Sequence, residues 1–441
     1  MRRDLGYALG ILLILATPVA NAAEWLVLEN LKLIDGTGSE PRTVSSLLVR
    51  DGVIASIDGE PSVSDPKPMD KVTRIDLDGA WVMPGLVDAH VHLAHYPRGH
   101  NQLADRLDWA VRGGVTTVRD MGGDARVLAE ARRALEAGEL VGPTVRFSAI
   151  LGGESMFDHP VLAQAARGYG PGNAPWLRAI SDDTDLTRMM AKARGAGVSG
   201  VKIYGDLDAA QLRRVAEAAE AQGLMRWAHG TVFPARPSEL VAAGVQSLSH
   251  APYLVWEAVD SVPADYRKRT QGPYSDIPPD HPRILALLER MAEEGVVLDT
   301  TLSLYRDMHR YRPPEGIEWA SEAFDWGVEL VRLAHEHGVM VAAGTDAFEP
   351  VNSMAPPNTH VELFTLVEDV GMAPMEALVA ATRNGAIATG VDQERGTLTV
   401  GKAADLLVLD ANPLENIRNT LELRLVVTNG QIVQPGMPGL E

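Results

Sequence analysis

His90 and His92 stand two residues apart in VMPGLVDAHVHL, a spacing that turns both imidazoles to the same side of a β-strand. Two imidazoles converging on one point make a natural half of a metal site, although the same pair also fits a polar strand edge. Four more metal-capable residues end other apolar segments: Lys202 in GVKIYG, His229 in MRWAHG, His250 in QSLSHA and Asp346 in GTDA. Burying so many polar groups without partners costs several kcal/mol in total. As a set they read as one metal centre, with divalent ions as cofactor and zinc the ion that best suits the donor types.

The elements that must position these residues are eight apolar segments. They run from Leu86 to His92, Val115 to Arg119, Val145 to Leu151, Val198 to Tyr204, Leu224 to His229, Val245 to His250, Val296 to Thr301 and Val339 to Thr345. Ala-, Glu- and Arg-rich stretches such as Asp208 to Gln222 alternate with them, the rhythm of a parallel sheet with crossover helices. Glycines at Gly114, Gly197, Gly244, Gly295 and Gly338 mark where a helix ends and a strand begins. The fold class expected is α/β, a (β/α)8 TIM barrel with its ligands at the C-terminal strand ends, the catalytic face. An open doubly wound sheet is the alternative, but no Gly-rich dinucleotide fingerprint follows the first strand. Long segments at 152–181, 251–282 and 303–318 follow strand ends on that face and are expected to wall a pocket.

Both ends of the chain have a different texture. Short alternating strands are expected at Trp25 to Leu33, Ser46 to Arg50, Val53 to Ile57 and Val72 to Leu77, and again at Asp405 to Leu409 and Leu425 to Val433. Ahead of them, Arg2 and Arg3, the apolar run Leu5 to Ala16 and the small residues Ala20 and Ala22 read as a signal peptide cleaved after Ala22. That run is shorter than the ~20 residues a membrane span needs, so no stable membrane anchor is expected after cleavage. The expected location is exported, periplasmic or secreted. The 441 residues contain no cysteine, which excludes disulfides and thiol catalysis. A formal net charge of -19 argues against nucleic acid as a partner. A small-molecule substrate is expected instead, and a homo-oligomer is compatible with the sequence.

On VMPGLVDAHVHL, GGVTTVRDMGG, GVKIYG, the histidines ending the fifth and sixth strands, GTDA, EALVAATRNGAIATG and RGTLTVGKAADLLVLDANPLENI, the chain resembles the amidohydrolase superfamily. The likeness is to its metal-dependent hydrolase branch of imidazolonepropionase-like and prolidase-like proteins. Beyond the signal peptide at 1–22, it implies a small β-sandwich formed by 23–83 and 391–441, beside the barrel at 84–390. It also implies that Lys202 is carbamylated by CO2 and bridges two divalent metals, one held by His90, His92, Lys202 and Asp346, the other by Lys202, His229 and His250. An ammonium has only donors and cannot bind a metal, whereas a carbamate is an anion with two oxygens. The apolar neighbours Val201 and Ile203 favour burial of Lys202 and thus the neutral amine that CO2 attacks. Bridged metals lower the pKa of a shared water, and Asp346 would take the attacking water's proton and pass it to the leaving group.

The activity implied is hydrolysis of amide or peptide bonds in small substrates, dipeptides including Xaa-Pro or N-acyl amino acids. Cyclic amides, lactones and organophosphate esters use the same chemistry, and a non-catalytic exported ligand- or metal-binding protein is the rival of another class. Arg306, Arg310 and Arg312, after the seventh strand, could grip a substrate carboxylate or simply pair with Asp307 and Glu315. Tyr204 and Tyr253 could hydrogen-bond an oxyanion or merely pack. Arg119 and Asp120 could touch the site or form a buried pair bracing the barrel. His159, His309 and His360 are weighed as substrate contacts, His95 and His100 as ordinary loop histidines, and His335 and His337 as structural.

Overall fold

Four strands precede the first of the metal-capable histidines: β1 (Glu24–Leu33), β2 (Arg42–Arg50), β3 (Val53–Ile57) and β4 (Lys71–Pro84). This computed structural model describes residues 22–64, 66–94, 100–158, 162, 165–311, 318–346 and 355–436, without the side chains at 100, 101, 307 and 309–311. The leader ahead of Ala22, His95, His159 and Arg312 lie outside the described residues, as do the side chains of His100, His309 and Arg310. No helix among the described residues is long and apolar enough to cross a membrane.

The next strands are β5 (Leu86–Val91), β6 (Val115–Asp120), β7 (Thr144–Gly153), the short pair β8 (Asn173–Ala174) and β9 (Leu177–Ile180), β10 (Gly200–Gly205), β11 (Met225–His229), β12 (Ser247–Ser249), β13 (Val297–Asp299) and β14 (Val341–Ala342). Apart from β8 and β9 they pair in the order β14-β13-β12-β11-β10-β7-β6-β5, and each corresponds to one of the eight segments expected from the sequence. The first strand meets the last: the Ala89 N–H donates to the Ala343 carbonyl at 2.9 Å and the Asp346 N–H to the His90 carbonyl at 2.8 Å. These bonds close a parallel barrel. Its strands are buried on both faces, which is why they read as nearly unbroken apolar runs.

The crossover helices form for local reasons. In Ala209–Ala221 the buried residues Leu212, Val215, Ala216 and Ala219 fall on one stripe, and Asp208 caps the first turn by accepting the N–H groups of Ala210 and Gln211. At the end of Pro282–Glu294 the chain must turn left-handed into β13, and Gly295 does so at φ +68°, where a Cβ would be strained.

The remaining strands are β15 (Leu406–Leu409), β16 (Leu423–Thr428) and β17 (Gln431–Val433). They join β1 to β4 in one seven-stranded sheet of order β17-β16-β15-β4-β1-β2-β3. Leu28, Leu31, Leu47, Val82, Leu406, Val408 and Val427, drawn from both chain ends, share a separate core there. The molecule is thus a TIM barrel with a small β domain built from its two termini.

The segment expected as a loop at 303–318 begins instead as the helix Leu302–Tyr311. Its start is set from far away in sequence. The buried Glu362 carboxylate accepts the N–H groups of Leu302 at 3.0 Å and Ser303 at 2.7 Å, satisfying a helix N-terminus that the local sequence leaves uncapped.

Candidate metal centre and active site

The barrel brings His90, His92, Lys202, His229, His250 and Asp346 to one rim. His90 lies within β5 and His92 just beyond it, Lys202 lies in β10, His229 ends β11, His250 follows β12, and Asp346 lies beyond β14. In-register pairing aligns His229 with Ser249 and Ser249 with Asp299, so these three share one level of the barrel. His90, Lys202, His229 and His250 are buried, while the side chains of His92 and Asp346 keep 16% and 20% exposure and open toward the mouth.

Each imidazole is held through one nitrogen. His90 Nδ1 meets Asp299 Oδ2 at 2.8 Å, His92 Nδ1 the Gly122 carbonyl at 2.9 Å, His229 Nδ1 the Tyr204 carbonyl at 2.6 Å and His250 Nδ1 Thr301 Oγ1 at 2.9 Å. Such anchors fix ring orientation and leave Nε2 for a ligand's role. Asp346 Oδ1 stands 3.0 Å from His92 Nε2 and 3.6 Å from His90 Nε2. The potential ligand atoms of His90, His92 and Asp346 lie within 4.8 Å of one another, a group that could hold a metal ion. The His250 ring centroid is 4.9 Å from that of His90 and 4.8 Å from that of His229, so the second half of the set adjoins the first.

The electrostatics suit ligation. Burial holds the His90 imidazole down to about 4, against the pull of Asp299 and Asp346, and keeps His229 and His250 well below the usual range. Burial also pulls the Lys202 amine down to about 7, with Asp299 opposing and Arg119 assisting. Its Nζ donates to Ser249 Oγ at 3.0 Å. Burial alone would raise Asp346, but His90 and His92 outweigh it and hold the carboxyl well below the usual carboxylate range. Burial likewise opposes protonation of His92, and the hydrogen bond and charge of Asp346 outweigh that, raising it. Three imidazoles that burial keeps neutral, a fourth paired with an ionised carboxylate, and an amine lowered by burial form a donor set that fits divalent metal.

Backbone strain is also present at this rim. His250, Thr301 and Asp346 adopt φ of +70°, +50° and +51°, a region that disfavours side chains and costs about 1–3 kcal/mol per residue. Thr301 hydrogen-bonds His250, and Asp346 and His250 are themselves in the candidate set.

Several participants were not singled out from the sequence. Asp299 holds His90 and also pairs with Arg119, whose Nη2 lies 3.0 Å away, both groups fully buried. Arg119 further donates to the Ala89 and Ala388 carbonyls and stacks over Trp227, so it braces the barrel interior, with Asp299 and not Asp120 as partner. Asp120 instead accepts the N–H groups of Leu93 and Gly122. Asp88 binds the hydroxyls of Thr345 and Thr359 at 2.9 and 2.8 Å, and burial pushes its carboxyl up to about 7. Both acids interrupt apolar strands, the same mark that distinguished the ligands.

Tyr204 and Tyr253 do border the centre, their rings 4.1 Å from His229 and 5.1 Å from His250 respectively. Tyr266, missed in the sequence, stacks on His229 at 5.3 Å and 11°. Arg306 is engaged elsewhere, donating to Asp369 at 2.9 Å and Thr365 at 3.1 Å, a pairing of the expected kind with different partners. His360, weighed as a substrate contact, is buried in the helix Asn358–Glu368 between Thr420 and the Gly113 carbonyl, where it is structural. His335 pairs with Glu376 at 3.1 Å.

Comparison with known proteins agrees with this geometry. The amidohydrolase family profile matches residues 81–433. Ochratoxinase of Aspergillus niger is 26% identical over 437 residues, spanning 88% of this chain and 81% of that protein. An imidazolonepropionase of Bradyrhizobium sp. is 27% identical over 387 residues, spanning 83% of this chain and 88% of that one. The crystal structure of a Xaa-Pro dipeptidase with bound methionine shares the fold with a TM-score of 0.71 at 22% identity, covering 93% of this chain and 99% of that one. With the family profile spanning most of the chain and the rim carrying its polar set, the protein belongs to the amidohydrolase family, hydrolases of C–N bonds.

Proposed function

We propose that this chain hydrolyses the amide bond of small acylated amino acids or dipeptides, Xaa-Pro included, with two divalent ions held by His90, His92, Lys202, His229, His250 and Asp346. The observation that carries the reading is the convergence of four imidazoles, each anchored through Nδ1, on a buried lysine and a carboxylate. Zinc suits these donors. When bound, the ions supply a Lewis acid for the scissile carbonyl and lower the pKa of the attacking water.

The chain's own residues have separate tasks. Lys202, its amine lowered to about 7 by burial, is available to attack CO2. The Nζ lone pair forms the N–C bond, a C=O pair moves onto oxygen, and one N–H proton passes to solvent water, leaving a carbamate of single negative charge. Asp346, held ionised by its histidine neighbours, accepts the water's proton and returns it to the departing amine. The Tyr204 and Tyr253 rings wall the pocket beside His229 and His250.

Screening metal-loaded protein against dipeptides, N-acyl amino acids and cyclic amides tests the reading, alongside elemental analysis and intact-mass measurement. Release of free amino acid, close to two divalent ions per chain and a CO2-sized mass increment are expected. Turnover confined to cyclic amides would displace the substrate class, and one metal or fewer with unmodified Lys202 would sink the binuclear centre.

We also propose that the protein is exported after cleavage behind Ala22. Asp70 already accepts the Ala23 N–H at 3.0 Å, so the new α-ammonium would sit on a carboxylate. Amino-terminal sequencing of protein from the periplasm or medium should begin at Ala23; uncleaved protein confined to the cytoplasm refutes this.

A further inference from the structure

The long segment after β12 carries a cation beside the metal-ligand rim. Its short helix Tyr266–Thr270 contains Arg267, Lys268 and Arg269, a basic triplet in a chain of net charge -19. Two of the three point elsewhere: Arg267 is ion-paired with Asp265 at 2.9 Å with its side chain 73% exposed, and Lys268 is exposed. Arg269 is half-buried, with its guanidinium carbon 4.2 Å from the centroid of the Tyr266 ring. Tyr266 in turn stacks on His229, so a single aromatic ring separates the guanidinium from a ligand imidazole.

No carboxylate among the described residues forms an ion pair with Arg269; it makes a long contact of 3.5 Å to the Tyr266 carbonyl and a side-chain hydrogen bond with Tyr253. The phenols of Tyr266, Tyr253 and Tyr204 stand around it. A guanidinium partly withdrawn from water and left with donors to spare is suited to an external anion, which it can grip with paired hydrogen bonds. Tyr204 and Tyr253 border the same ligand histidines and bring hydroxyls that also donate.

We propose that Arg269, assisted by Tyr204 and Tyr253, forms the subsite for the free carboxylate of the substrate. This rests on the amide-hydrolase reading, since an N-acyl amino acid bears its carboxylate on the carbon next to the leaving nitrogen. The subsite requires the scissile amide at the rim with its carboxylate turned toward His229, the side on which Arg269 stands over Tyr266. Of the arginines considered after the seventh strand, Arg306 is engaged with Asp369 and Thr365, and the side chains of Arg310 and Arg312 lie outside the described residues.

The test has two arms using N-acetyl-L-methionine and its C-terminal amide as probes. In the first, acetate release gives kcat/KM for both compounds in metal-loaded wild type, Arg269→Met, Arg269→Lys and Arg267→Met. In the second, calorimetry measures binding of both compounds to the same series in an Asp346→Asn background that blocks turnover. The acid should be preferred over the amide by about 10- to 100-fold in wild type. Arg269→Met should abolish that preference, Arg269→Lys should retain part of it and Arg267→Met nearly all. If no variant releases acetate while the binding preference persists and depends on Arg269, the hydrolytic reading fails and the subsite stands. A preference absent from wild type, or surviving in Arg269→Met, overturns the subsite; should Arg269→Met not fold, a full preference in Arg269→Lys does so.

Discussion

His360 and the four histidines of the rim are held in two different ways. His360, near the opening of β6, meets Thr420 Oγ1 at 2.9 Å through Nδ1 and the Gly113 carbonyl at 2.8 Å through Nε2, so its whole hydrogen-bonding capacity is used inside the protein. His90, His92, His229 and His250, at the opposite rim, all anchor Nδ1 on the protein; the Nε2 atoms of His90 and His92 face Asp346, and the rings of His229 and His250 adjoin them. Burial lowers His360 and His90 alike to about 4, so the shift alone does not separate structure from chemistry. What separates them is the second nitrogen.

The backbone repeats the contrast. Where helices hand over to strands, the left-handed positions are filled by Gly114, Gly197, Gly244, Gly295 and Gly338, which adopt them without side-chain strain. At the catalytic rim the same region is occupied by His250, Thr301 and Asp346. At the helix-to-strand turns no side chain is held in this region, whereas at the rim three are.

The comparison can be broken most decisively at Asp346. Asp346→Asn removes a proton acceptor but preserves shape, and kcat should fall by about 10²- to 10⁴-fold while at least one metal ion is retained. Near wild-type kcat across neutral pH would show that the rim carboxylate is not the proton-transfer group.

A smaller effect is expected at His360, and it should appear in stability. The folded imidazole titrates at about 4 against 6.5 unfolded, so the unfolded chain binds more protons between those values. Its contribution is therefore complete above pH 6.5, declines as pH falls toward 4 and amounts to about 3 kcal/mol at most. Denaturant unfolding from pH 4 to 7.5 should show a shallower acid decline in His360→Gln than in wild type. Equal slopes would mean that His360 does not carry the linkage.

The smallest effect belongs to Gly295. A Cβ there has room, with Met340 Cε 3.8 Å away, so only the positive φ resists it. Gly295→Ala should lower stability by about 1–2 kcal/mol with kcat/KM close to wild type. A neutral or stabilised variant would show that left-handed strain is cheap in this barrel and would weaken the reading of strain at the rim.

Periodicity and chemistry along the chain were enough to mark the eight barrel strands and the six rim residues, because a polar side chain ending an apolar strand stands out locally. Asp299 carried the same mark, yet its partner did not: Arg119 is 180 residues away, and only barrel closure brings the two together instead of Arg119 and its neighbour Asp120. The helix Leu302–Tyr311 was likewise hidden, since its first turn is capped by Glu362, supplied 60 residues later. Arg269 lies in a segment without periodicity, where nothing local distinguishes a site arginine from Arg267 two positions earlier. Local pattern determined which residues are buried on which element. Which buried charges meet, and which cation is left for a substrate, depended on distances across the barrel that only the closed tertiary structure sets.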